Sequence, residues 1–189
     1  YPIQETRSVT QALLSINGVY TTVYGYDTGS DTWHMYDVTA EPYANTLDVL
    51  QYGHGYWINV SQAITLYLGG ESSGDATTRS LSLQSPPSSF YGPVLGGTDL
   101  TPTAGMPVTA TVNGAVCAQG ETILYEGDVV YALHVRGGAG CGDPGDEIVF
   151  EVDGETMAPQ PGWDNSRVRR LPLEPDEGYE IYLPVVIRN

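Results

Sequence analysis

The sequence predicts a mainly β protein: a small α+β module, then an antiparallel β-sandwich, then an extended C-terminal strand. Three observations carry this. The composition, with 23 Gly, 13 Pro and 14 Tyr against 2 Phe and 3 Met, suits many short strands joined by turns. Two dipeptides, Asn113-Gly114 and Asp153-Gly154, each sit between β-rich runs and are strong hairpin signals. The segment Tyr179–Arg188 is mostly β-branched or aromatic, follows the breaker Pro175-Asp176-Glu177-Gly178, and has the length of a full strand.

The elements follow in order. Ser8 to Ile16 reads as one short helix, with Ser8 as N-cap and Val9, Leu13 and Ile16 on one face. Asn17-Gly18 stops it. Val19–Tyr26 and Thr32–Tyr36 form a hairpin across Asp27-Thr28-Gly29-Ser30-Asp31, and Asp37–Asn45 is irregular around Pro42. Gly55–Val60 and Ile64–Leu68 read as two further strands, closing a first module over residues 1–69. Residues 70–86 form a polar, Gly/Ser/Thr-rich linker that ends at Pro86-Pro87. Residues 87–175 then carry about seven short strands, the pattern of a sandwich. These are Phe90–Leu95, Pro107–Val112, Ala115–Ala118, Asp128–Val135, Glu147–Val152, Glu155–Met157 and Arg167–Leu173. Residues 176–189 are the tail.

Charge and cysteine usage narrow the function. The net charge is −16, and all seven basic residues are Arg. Such a surface has no basic patch to replace the counterions of nucleic acid or anionic lipid. Without Lys there is no Schiff-base chemistry, no P-loop lysine and no Lys–Asn isopeptide bond. No run is long enough to span a membrane as a helix. Cys117 and Cys141 suggest one disulfide and an oxidising compartment, the alternative being two free buried thiols. The pair would tie the second hairpin arm to the loop before Glu147. The chain opens at Tyr1, which reads as a processed or truncated form.

Candidate chemistry is sparse. Asp27-Thr28-Gly29-Ser30 matches the short signature of aspartic proteases, but that chemistry needs two such carboxylates and no second copy occurs, so a hairpin turn is expected. Asp27 with Asp31, and Asp143 with Asp146 and Glu147, are candidate calcium ligands without EF-hand spacing; solvated turns are the simpler reading. His34, His54 and His134 fall on separate elements, and no zinc, nucleotide or hydrolase motif is present. No catalytic residue and no obligatory cofactor is expected. The rings of Tyr24, Tyr26, Trp33, Tyr36, Tyr52, Tyr56 and Trp57 would stack on sugar if exposed; alternation along Val19–Tyr24 points to core instead. Asn59-Val60-Ser61 is a candidate glycosylation sequon, so a covalent glycan is another candidate addition.

Two stretches carry a resemblance. Ser15–Tyr20, Trp33–Asp37, Asn45-Thr46-Leu47 and Gly53–Ile58, with its Gly-Tyr-Trp-Ile ending, resemble a small aromatic-rich module of secreted surface proteins from bacteria, notably Chloroflexi, and from archaea. Phe90–Val94, Pro102–Met106, Val112–Cys117 and Gly140-Cys141-Gly142 are similar to Ig-like or prealbumin-like sandwich domains on such proteins. The ending Tyr182-Leu183-Pro184-Val185-Val186-Ile187-Arg188 resembles the short C-terminal ending that many of them carry. The resemblance implies a secreted or cell-surface location and no catalytic residues. In such relatives an apolar strand precedes the equivalent of Tyr1-Pro2-Ile3; here the first sheet is expected to lack that strand.

An apolar strand left in water is an aggregation template, so the tail must complete a sheet in its own chain or in a neighbour. The functional expectation is a non-enzymatic, secreted structural subunit that polymerises head to tail with itself into an extracellular filament, tube or surface layer. Tyr179, Ile181, Tyr182, Leu183, Val185, Val186 and Ile187 would form the subunit interface, with Ile181, Leu183, Val185 and Ile187 on the buried face. The alternative is a carbohydrate-binding or adhesive module of a larger exported protein.

Overall fold

The computed structural model describes residues 1–68, 85–138 and 140–176. The tail positions Tyr179, Ile181, Tyr182, Leu183, Val185, Val186 and Ile187, and nearly all of the linker, lie outside the described residues.

The first module opens with a two-residue strand, β1 (Arg7–Ser8), which pairs with β4 (Val49–Leu50). Between them comes helix α1 (Val9–Ala12), where the Ser8 hydroxyl accepts from the Gln11 N–H as an N-cap. The single helix expected over Ser8–Ile16 is broken: Leu13 leaves the helical track and Leu14–Ile16 continues as a 3-10 turn. The expected face holds, with Val9, Leu13 and Ile16 all buried. Strand β2 (Tyr20–Asp27) is central to a three-stranded sheet, flanked by β3 (Thr32–Asp37) and β5 (Tyr56–Val60). The pairing of β2 with β5 shifts register between Tyr20 and Thr22. The shift corrects the simple alternation expected for Val19–Tyr24: Tyr20 joins Val23 in the module's own core, and Thr21 is left exposed. The segment Ile64–Leu68 is not a strand. Its backbone bonds are with side chains: the Tyr67 N–H donates to Ser15 Oγ, the Ser15 hydroxyl donates to the Tyr67 carbonyl, and Arg7 Nη1 donates to the Leu68 carbonyl. Ile64 and Tyr67 stay exposed.

The second module is a sandwich of two sheets. One sheet runs in the order β13 (Arg169–Arg170), β6 (Ser88–Pro93), β10 (Asp128–Val135), β9 (Ile123–Tyr125). The other runs β14 (Glu174–Pro175), β12 (Glu155–Ala158), β11 (Ile148–Val152), β7 (Pro107–Val112), β8 (Ala115–Glu121). Both Asx-Gly turns form, with positive φ at Asn113 (51°), Gly114 (79°), Asp153 (52°) and Gly154 (85°). The core between the sheets holds Phe90, Tyr131, Leu133, Val135, Val108, Phe150 and Met157, with Trp163 and Leu173 closing it.

Two details depart from expectation. The single antiparallel strand expected over Arg167–Leu173 is a short parallel pairing on β6, extended by the Leu171 and Leu173 N–H groups donating to the Tyr91 and Pro93 carbonyls. Gly92 permits it, because a Cβ there would lie 2.5 Å from the Leu171 carbonyl oxygen. The strand β9 was not legible in the sequence at all.

Cys117 on β8 and Cys141 in the loop before β11 form a disulfide, with Cα atoms 5.2 Å apart. It ties the second hairpin arm to that loop, as the sequence suggests.

Candidate functional site

The two modules pack directly against each other. Alternation along β6 and β10 sends Phe90, Tyr131, Leu133 and Val135 inward, and Ser89, Tyr91, Ala132 and His134 to the opposite face. The β2–β3 sheet covers that opposite face. Tyr24, Trp33, Met35 and Ala44 form one cluster with Tyr91, with Ala132 and Val168 packed against it. The centre of the four-stranded sheet is thus covered on both sides, which explains why β6 is buried at five of its six positions, while the edge strand β9 stays exposed.

Polar groups stitch this seam. The Tyr24 hydroxyl donates to Ser89 Oγ at 3.1 Å, and Ser89 Oγ lies 2.9 Å from His134 Nδ1. With Tyr24 as donor, the Ser89 proton is free to go to Nδ1, which places the imidazole proton on Nε2. Enclosure between the modules, helped by His34 nearby, pushes the His134 pKa down to about 4. Burial likewise pushes Tyr24 up to about 12. At the rim, Arg136 Nη1 bonds Asp31 Oδ2 at 3.0 Å, and Asn59 Nδ2 donates to the Ser166 carbonyl at 3.1 Å.

Three clefts open beside the seam. One, of about 300 Å³, lies between the modules under the Asp31–Arg136 pair and is lined by Trp33, Gln119 and His134. A second, of about 310 Å³, runs along β5, with Trp57, Ile58 and Asn59 on one wall and Asn165, Ser166 and Arg167 on the other. The third, of about 480 Å³, belongs to the first module. It brings together Tyr26, His34, Asp48, Gln51, His54 and Tyr56.

The sequence-derived candidates fall as follows. Asp27 is part of the hairpin turn; its carboxylate accepts from the Gly29 N–H and the Ser30 hydroxyl, which hold its pKa below the ordinary carboxylate value. Asp31 Oδ1 takes the Tyr26 hydroxyl and Oδ2 takes Arg136. Asp146 Oδ2 accepts from Asn113 Nδ2 and from the Asp143 N–H, again as part of a turn. Among the described residues no three His, Cys, Asp or Glu side chains are grouped as a metal cluster. Asn59 is exposed, and the amide nitrogen a glycan would use is the one that reaches Ser166.

Of the aromatics, Tyr24 and Trp33 are core residues of the seam, each 4% exposed. The Trp33 ring touches those of Tyr24, Tyr26 and Trp57, with centroids 5.1–6.1 Å away. It offers no face for sugar. The histidines are less scattered than the sequence implies: His34 and His54 line one cleft, and His34 also acts on His134. That convergence depends on the docking of β3 against both the Gln51–Gly55 loop and β10, and no local pattern announces it.

No family model matches the chain, and no curated protein and no solved structure matches it. Among the described residues no helix is long and apolar enough to cross a membrane.

Proposed function

We propose that the chain is a secreted structural subunit that polymerises with itself into an extracellular filament, tube or surface layer, each copy donating its segment Tyr179–Arg188 to a sheet of the next. The observation that carries this reading is that the sandwich obtains both of its sheets, and a core reaching from Phe90 to Leu173, from residues 88–175. Among the described residues those two sheets are built without the tail, and a strand-length apolar segment has to find a sheet edge, which we assign to a neighbouring copy. A head-to-tail contact of this kind propagates as an open fibre or closes as a ring. The disulfide fits an oxidising, extracellular setting. So does the resemblance of the aromatic-rich module, the Ig-like sandwich and the Tyr-Leu-Pro-Val-Val-Ile-Arg ending to secreted surface proteins. Electron microscopy of the purified chain tests the reading. Ordered fibres or sheets are expected, and they should vanish when residues 179–189 are deleted; fibres that survive the deletion would exclude strand donation.

A second reading, a carbohydrate-binding or adhesive module, is favoured by the 480 Å³ cleft. There two partly buried tyrosine rings stand beside His34, His54, Asp48 and Gln51, a mixture of flat apolar surface and hydrogen-bonding groups that suits a sugar. A glycan array separates the two readings. Glycan binding that is lost in His54→Ala and Gln51→Ala would favour adhesion.

A further inference from the structure

We infer that the edge that accepts the tail of a neighbouring subunit is the outer side of β5, Tyr56-Trp57-Ile58-Asn59-Val60. The inference rests on the strand-donation reading above and names its acceptor.

The Val38 N–H donates to the Thr21 carbonyl, so Thr21, Val23 and Gly25 turn their peptide groups toward β3. Thr22 and Tyr24 then turn theirs toward β5, where their partners are Asn59 and Trp57. Tyr56, Ile58 and Val60 consequently point N–H and C=O away from the sheet. No hydrogen bond among the described residues meets these outward groups.

The other edges among the described residues are shorter, charged or largely capped. On β3, Trp33, Met35 and Asp37 are the outward residues, and the latter two are capped: Thr46 and Leu47 donate to the Met35 carbonyl, Thr46 Oγ1 accepts from the Met35 N–H, and the Asn45 side chain bonds both peptide groups of Asp37. β8 carries the disulfide, and its Cys117 carbonyl accepts from Arg136. β9 has three residues, β13 is two arginines, and β14 ends in Pro175. Short length, charge and proline are the usual protections of a sheet edge. β5 has five residues and none of these protections, and its residues are strong strand formers apart from Asn59.

The surroundings suit an apolar strand of this chain. Val60, at the end of β5, and Ile64, beyond it, are exposed. The 310 Å³ cleft alongside is walled by Arg167, one of only seven cations in a chain of net charge −16. The tail enters on Asp176, Glu177 and Glu180 before its apolar stretch, so its acidic start complements that Arg. The tail's Pro184 has no N–H to offer, which an added edge strand tolerates.

Two full-length variants test this. Ile58→Pro removes an outward donor at the edge and leaves the tail intact; Leu183→Asp spoils the tail and leaves the edge intact. Neither is expected to polymerise alone, whereas an equimolar mixture should sediment as heterodimers of twice the monomer mass. Polymers from Ile58→Pro would overturn β5 as acceptor while leaving strand donation standing. Polymers from Leu183→Asp would overturn strand donation itself. A mixture that stays monomeric would also count against β5. A photo-crosslinker at Tyr182 in the otherwise unaltered chain, with isotopically distinct copies mixed, guards against a proline variant that fails to fold. Inter-copy links to residues 56–60 support the assignment, and links confined to any other surface overturn it.

Discussion

His134 holds a titratable ring at the point where the modules meet, and the sign of its effect follows from its depressed pKa. An imidazole in the unfolded chain titrates near 6.5, and the folded one at about 4. Above about pH 6.5 both states hold the neutral ring, and its contribution to stability is complete. As the pH falls toward about 4, the unfolded chain takes up a proton that the fold excludes, so stability declines, and the decline levels off below that value. Over the whole window the effect is roughly 3 kcal/mol. Urea midpoints at about pH 7 and about pH 4.5 should therefore fall further for the native chain than for His134→Gln, the difference between the two isolating this group from the carboxylates. Equal falls would place the proton elsewhere. Tyr24→Phe removes the hydroxyl that donates to Ser89 and should cost about 1–2 kcal/mol at a buried site, read as a lower urea midpoint. Gly92→Ala is expected to be harsher. Its Cβ would meet backbone at 2.5 Å, so the parallel pairing of β6 with β13 has to separate, at a cost of roughly 1–3 kcal/mol or more.

Among the elements, the disulfide-tied hairpin gives the cleanest test. Its two cysteines are 24 residues apart, and replacing both by Ser should lower stability by about 3 kcal/mol in the chain-entropy account, measured as a drop in the denaturation midpoint with the fold otherwise kept. This hairpin was legible in the sequence because Asn113-Gly114 tolerates the positive φ angles that a two-residue turn requires, and Asp153-Gly154 was legible for the same reason. The cap at Ser8 and the buried face of Val9, Leu13 and Ile16 were legible because both are local. Other elements were not. β1, β4 and β13 have two residues each, too few for any periodicity. Ile64–Leu68 has the composition of a strand, but Ser15 and Arg7 take its peptide groups. The clefts were illegible for a third reason. His34, Gln51 and Tyr56 come from β3, a loop and β5, and only the sheet registers bring them together.

At the scale of the whole molecule, the chain is a three-layer stack: the sheet of the first module lies on the outer face of the four-stranded sheet, which in turn packs on the five-stranded one. The burial of Ser89, Tyr91 and Trp33 between the first two layers follows from this stacking, which the reading of two modules on a linker did not anticipate. In the proposed fibre, the Tyr24–Ser89–His134 seam and its apolar cluster would carry tension between the modules. The central claim is that one copy's final strand belongs to the sheet of another. Helical reconstruction of assembled protein by cryo-electron microscopy addresses it directly. The account predicts density for residues 179–188 running beside Tyr56–Val60 of an adjacent subunit. Density that pairs the segment within its own subunit, with no strand crossing between copies, would contradict it.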